Sequence, residues 1–171
     1  PCEAPPWMNV TDSFAPSYAQ ARVKFLEAAT LAGADIESLQ HPMVGAEGET
    51  LALDVALDGA KKADKLLIIS SGCHGVEGFC GSGVQVTALR DAQLRQAARD
   101  AGVALLYWHA INPYGFSYLR RVTQENVDLN RNFHDFSQAV PDNPDYAELH
   151  PLLLPEQWPP PLDNQIALGC Y

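Results

Sequence analysis

Apolar and polar residues alternate along Leu51 to Asp58, with Leu51, Leu53, Val55 and Leu57 on one side and Ala52, Asp54, Ala56 and Asp58 on the other. A period of two predicts a half-buried strand whose Leu/Val face meets the core and whose other face meets solvent. Lys65 to Ser70 and Val103 to His109 are short apolar runs, and both read as buried strands. Between them, Val84, Val86, Leu89, Leu94 and Ala97-Ala98 predict a helix over Ser82 to Ala101, ended by Gly102. Ala19, Val23, Leu26 and Ala29 give helical spacing over Ser17 to Ala32, with Gly33 as its C-cap. Ile36 to Gln40 is a short possible strand ended by Pro42. Pro1 to Pro16 reads as an irregular arm, and the Pro-rich, acidic stretch from Pro141 as a surface excursion.

A strand, a long crossover helix and a second strand imply a parallel pair with a right-handed connection. The expected fold is therefore α/β: a three-layer α/β/α sandwich around a mixed, mainly parallel sheet, with residues 1–171 as one domain. In such sheets ligands bind beyond the carboxyl ends of strands. His74 follows one such end and Asn112 the next, so both loops are expected to face one crevice.

The formal net charge of -10 argues against a nucleic-acid partner, which needs Lys and Arg to neutralise phosphates. It leaves room for an anionic substrate met by a local arginine cluster. No run approaches the roughly 20 apolar residues of a membrane helix, so the expectation is a protein without a membrane partner. Cys2, Cys73, Cys80 and Cys170 form no CxxC pair and read as free thiols, which suits a cytoplasmic location.

The candidate chemistry lies in two segments. Gly72-Cys73-His74-Gly75-Val76-Glu77 places an imidazole and a carboxylate three residues apart on a glycine-rich loop, close enough to meet one zinc ion. A catalytic zinc needs a third protein ligand. Asn126-Val127-Asp128-Leu129-Asn130-Arg131-Asn132-Phe133 offers Arg131 as a planar fork for a carboxylate, with the Asn130 amide beside it. Arg120 and Arg121 lie upstream, and either could stabilise a developing oxyanion. The competing reading pairs Arg131 with Asp128 or Asp135 and lets Asn130 cap a turn. Cys73 beside His74 suggests a nucleophile–base pair, but neighbours on an extended segment point apart. His109 ends a buried strand and reads as a core histidine.

The order of these motifs resembles the zinc carboxypeptidase superfamily of the carboxypeptidase A type. It runs strand, His-x-x-Glu, a strand ending in Asn112-Pro113-Tyr114-Gly115-Phe116, arginine, then Asp128-Leu129-Asn130-Arg131-Asn132-Phe133. The last form is closest to bacterial members, and the likeness covers roughly Leu66 to Phe133. The resemblance implies that His74 and Glu77 are zinc ligands and that Arg121 holds the oxyanion. It also implies that Asn130 and Arg131 bind the free carboxylate of a small-molecule or peptide substrate. The implied activity is zinc-dependent hydrolysis of an amide or peptide bond next to that carboxylate. A related alternative is an N-acyl-amino-acid deacylase of the aspartoacylase or succinylglutamate desuccinylase kind. A different class is a non-catalytic carboxylate-binding module. The family's third zinc ligand and its glutamate base lie further downstream, so the resemblance implies that these residues are the N-terminal part of a longer catalytic domain.

Overall fold

The computed structural model describes residues 9–154, 156 and 157. The chain divides into two compact units, Pro1–Phe133 and His134–Tyr171. Cys2, Cys170 and, in the Pro-rich tail, Pro155 and residues 158–171 lie outside the described residues.

The first unit is built on a four-stranded mixed sheet in the order β1-β2-β4-β3, from β1 (Asp35–Val44), β2 (Thr50–Asp58), β3 (Lys65–Ser70) and β4 (Val103–His109). β3 and β4 run parallel, as the crossover requires, while β1–β2 and β2–β4 are antiparallel. Flanking helices make the architecture α/β, with its single parallel pair at the side of the sheet that carries the candidate chemistry. Pro42 does not end β1. It sits in an irregularity between Gln40 and Val44 on an edge strand, where a missing N–H costs no ladder bond.

Helix α1 (Tyr18–Ala32) starts where Ser17 accepts from the Gln20 N–H and stops at Gly33, whose φ is 72°. The expected helix over 82–101 is two helices. α2 (Gly78–Arg90) ends at Asp91, and the Asp91 carboxylate accepts from the N–H groups of Gln93 and Leu94 to begin α3 (Ala92–Asp100). An aspartate offering its side chain to free N–H groups makes a new start cheaper than continuation.

The face of α1 that is buried differs from the one the apolar spacing suggests. Tyr18, Ala21, Phe25, Ala28 and Ala29 are buried, whereas Val23 is exposed. The core joins Phe25, Ala28, Val86 and Leu89 from the helices to Ala56, Leu105 and Tyr107 from the sheet. β2 is reversed in the same sense. Asp54 and Asp58 lie under the helices, and Leu53, Val55 and Leu57 face the more open side. The cause is a pair of arginine keys. Arg22 of α1 donates to both oxygens of Asp54 at 2.7 and 3.0 Å, and the Ser38 hydroxyl adds a bond at 2.5 Å. Arg95 of α3 holds Asp58 at 2.5 Å. Small and paired acidic side chains on this face let the helices approach closely.

Removing one member of such a pair leaves an uncompensated buried charge. Arg22→Ala is expected to cost about 3 kcal/mol, read as a lower urea midpoint at unchanged slope. The double replacement Arg22→Met with Asp54→Leu is expected to recover most of that loss, because no charge then remains buried.

His109, fully buried at the end of β4, stacks on Phe25 at 4.5 Å, and its Nε2 lies 2.9 Å from the Ser82 hydroxyl. Burial pushes this imidazole down to about 4, with Asp54 opposing in part. The unfolded chain titrates near 6.5. Between those values the unfolded state binds a proton that the folded state refuses. Stability should therefore fall by about 3 kcal/mol as pH drops from 6.5 to 4. Above 6.5 the group contributes no slope. Urea midpoints across this window should show the fall in wild type, and a smaller fall in His109→Asn.

The second unit contains helix α5 (Pro144–Leu153), capped by the Asn143 side chain at the Tyr146 N–H. The stretch read as an irregular excursion is thus partly helical, with Pro144 in the first turn, where its missing N–H is no loss. Among the described residues no helix is long and apolar enough to cross a membrane.

Candidate metal centre

β3 and β4 end side by side, and their pairing continues into the loops. Ser71 N–H donates to Trp108 O at 3.0 Å, Ile111 N–H to Ser71 O at 2.9 Å, and Asn112 N–H to Gly72 O at 2.8 Å. The His74 loop and the Asn112 turn are thereby zipped together at the carboxyl end of the parallel pair. The turn itself is a single helical turn, α4 (Pro113–Ser117), whose Gly115 N–H is capped by Asn112 Oδ1 at 2.8 Å. Gly75 packs directly on Gly115: a Cβ placed on Gly75 would lie 1.9 Å from the Gly115 carbonyl carbon. Phe116 projects beneath, into a cluster with Tyr18, Leu51 and Ala110.

His74 is nearly buried and is gripped from two sides. Its Nε2 is 2.9 Å from Asp128 Oδ1, and its Nδ1 is 3.2 Å from Glu77 Oε1. Glu77 is the N-cap residue of α2, and its side chain is 69% exposed. Asp128 is the hub of the second segment. Its carboxylate accepts from Arg121 Nε at 3.1 Å, from an Arg131 terminal nitrogen at 2.8 Å and from the Asn130 backbone N–H at 3.0 Å. His74 first, with the two arginines and the Asn130 N–H adding to it, holds the Asp128 carboxyl well below the usual carboxylate range. The ring reaching Asp128 is therefore met by an ionised acceptor.

An ionised carboxylate only accepts, so the His74 proton facing Asp128 sits on Nε2. In the tautomer with its single proton there, the Nδ1 lone pair faces Glu77 Oε1, itself an acceptor. Two acceptors 3.2 Å apart repel unless a cation or a proton lies between them. Two atoms bound tetrahedrally to zinc at about 2.0–2.1 Å are about 3.3 Å apart, so this spacing suits neighbouring ligands of one ion. A ligating histidine that donates its other N–H to a carboxylate is the usual outer-shell arrangement at zinc. The donor set fits a metal as one edge of a site. Among the described residues no group of three His, Cys, Asp or Glu side chains completes it.

The structure thus brings His74, Glu77, Arg121, Asn130 and Arg131 into one cluster. Arg131 does pair with Asp128, as the competing reading had it, and Asp128 rather than Asn130 caps the short 3-10 turn at Leu129–Arg131. The side chains remain 51% exposed for Arg121 and 66% for Arg131, and each guanidinium has N–H groups not used on Asp128. Arg120 turns away and donates to the Asn126 side chain. Asp128 was not singled out from sequence as a site residue. Its tie to His74 spans 54 positions, and the only local signal was the arginine three residues on.

Cys73 is a poor nucleophile in this setting. Burial raises its thiol, and the nearby Asp128 and Glu77 carboxylates raise it further, which disfavours the thiolate. His134 packs against Phe136, and His150 against Tyr146, both within the second unit.

No curated protein matches this chain. Among solved structures, a "putative metallopeptidase" from Shewanella denitrificans is similar at a TM-score of 0.52 and 24% identity, over 79% of this chain and 47% of that one. The chain spans about half the length of that structure, and the likeness shows a shared fold. A glutaminyl cyclase from Porphyromonas gingivalis is similar at a TM-score of 0.29 and 15% identity, over 60% of this chain and 48% of that one, too slight to carry an argument. The family model described as Protein of unknown function (DUF2817) matches residues 14–170, and the chain belongs to that family.

Proposed function

We propose that this chain carries part of the active site of a zinc-dependent hydrolase that cleaves an amide or peptide bond next to a free carboxylate. The observation that carries the reading is the 3.2 Å approach of His74 Nδ1 to Glu77 Oε1, with His74 Nε2 held from behind by Asp128 at 2.9 Å. His74 and Glu77 would hold the metal, with a third donor supplied from outside the described residues. When bound, zinc would polarise a carbonyl and make water nucleophilic near neutral pH.

The other roles belong to this chain's own side chains. Asp128 accepts the Nε2–H of His74 and keeps its ring turned towards Glu77. Arg131 keeps one edge on Asp128 and offers its remaining N–H groups to the substrate carboxylate, the geometry in which arginine binds best. The Asn130 side chain is free to join it, because its contact with Asp128 uses only the backbone N–H. Arg121, held by Asp128 through Nε, presents its terminal nitrogens towards a developing oxyanion. The name of the Shewanella structure favours a peptidase. A carboxylate-binding module without catalysis is the second reading, favoured by the two-donor edge among the described residues.

The test is a paired assay of the full natural protein. Substrates are peptides with a free C-terminus, the same peptides amidated, and N-acyl amino acids. The reading expects chelator-sensitive cleavage of free-carboxylate substrates, with a raised KM in Arg131→Ala. Cleavage of N-acyl amino acids alone would favour the deacylase. Chelator-insensitive cleavage, or equal cleavage of amidated peptides, would contradict the reading.

A further inference from the structure

Gln85 is fully buried in the middle of α2, on the face packed against the sheet, where an apolar residue would be expected. Its amide reaches the point where the two parallel strands stop. Nε2 donates to Ile69 O of β3 at 2.8 Å and to Trp108 O of β4 at 3.0 Å, and Oε1 accepts from the Ser71 hydroxyl at 2.9 Å. Both amide protons are spent on carbonyls of different strands, and the oxygen is spent on the first loop residue. Trp108 O also accepts the Ser71 N–H that opens the loop zipper. One turn nearer the helix start, the Ser82 hydroxyl meets His109 of β4. Gly81 lets the helix come this close, since a Cβ there would lie 2.7 Å from the Ser71 Cβ.

The placement couples two things. Ser71 is three residues before His74, and Glu77 is the N-cap of α2, eight residues or about 12 Å before Gln85. A single side chain thus locks the helix that carries Glu77 to the strand ends that carry His74. We propose that Gln85 is a positioning residue that sets the spacing between His74 Nδ1 and Glu77 Oε1. The proposal deepens the metal-site reading and rests on it for its affinity consequence, but not for its geometric one.

The variant Gln85→Met keeps length and approximate volume and removes all three bonds. Leu89→Ala is the control: Leu89 is buried in the next turn of the same helix, within the apolar core cluster. Both lose stability, and both are compared under conditions where each is folded. The readouts are zinc affinity and the ring-nitrogen NMR signals of His74, which report its tautomer and its bond to Asp128 without metal.

Gln85→Met is expected to weaken zinc binding about tenfold or more, the scale of outer-shell losses, and to move the His74 signals. Leu89→Ala is expected to keep affinity within about twofold, as for an uncoupled site, with His74 unmoved. Equal effects of the two variants on both readouts would overturn the proposal, as would an unmoved His74 in Gln85→Met. If wild type binds no zinc while the His74 signals still move only in Gln85→Met, the metal reading falls and the positioning role stands.

Discussion

Asp128→Ala is expected to weaken zinc binding by about 10- to 100-fold although Asp128 would not touch the metal. Its carboxylate is the acceptor for the Nε2–H of His74, for Arg121, for Arg131 and for the Asn130 N–H. Without it the imidazole loses the bond that fixes its tautomer, and Nδ1 carries the proton for part of the time. The two guanidinium groups are then held by nothing in the cluster and add repulsion near an incoming cation. Asp128→Asn separates these causes. Its amide oxygen can still accept from Nε2–H, so part of the affinity should return, while the charge that balances the arginines does not. Competition against a chelator of known affinity measures both variants. Affinity unchanged in Asp128→Ala would show that the ring does not need Asp128, and the tautomer argument would fail with it.

Gly75→Ala is expected to be the most damaging added methyl among the described glycines. The added Cβ would sit 1.9 Å from the Gly115 carbonyl carbon, 2.2 Å from its oxygen and 2.3 Å from the Phe116 nitrogen. These are backbone atoms, so no side chain can swing away. Relief requires the His74 loop and the Asn112 turn to part, which breaks the zipper through Ser71, Gly72, Ile111 and Asn112. A loss above about 4 kcal/mol is expected, the range reserved for gross packing conflicts. Gly48→Ala is the comparison. Gly48 has a φ of 81° but nothing within 4 Å of a new Cβ, so it bears backbone strain alone. That strain is worth about 1–2 kcal/mol. Urea denaturation of the two variants should differ by several-fold in free energy. Equal losses would mean that the close approach of Gly75 and Gly115 does not hold the loops together.

Much of the scaffold was legible in the sequence because local signals agreed. The bounds of β3 and β4 follow from uninterrupted apolar runs ended by Ser-Gly and by Ala-Ile-Asn-Pro. The span of α1 follows from Ser17 and Gly33. The faces were less legible. Apolar spacing favoured Val23 and the Leu/Val side of β2, yet the helices cover Asp54 and Asp58, because Arg22 and Arg95 arrive from elsewhere in the chain to pair with them. A partner 32 or 37 residues away leaves no periodic trace. The break at Asp91 was present as a capping residue, but it was masked by the apolar residues on either side.

The candidate site divides the same way. His74 and Glu77 are neighbours in sequence, and Arg121 and Arg131 stand out as arginines in an acidic chain. Asp128 and Gln85 are visible only once strand ends and loops are brought together. Both look like ordinary surface residues in sequence. Each is defined by what it bonds to across 54 or 23 positions.

The central claim is that His74 Nδ1 is a free lone pair aimed, with Glu77, at a metal position. The direct measurement is a zinc titration of the full natural protein, isotopically labelled, followed by the ring-nitrogen signals of its histidines. Before zinc, His74 should appear with its proton on Nε2. With zinc, Nδ1 of His74 should shift as a bound nitrogen at one-to-one stoichiometry, and the shift should vanish in Glu77→Gln. A His74 ring that starts with its proton on Nδ1, or that stays unmoved while another histidine takes the zinc, would contradict the account.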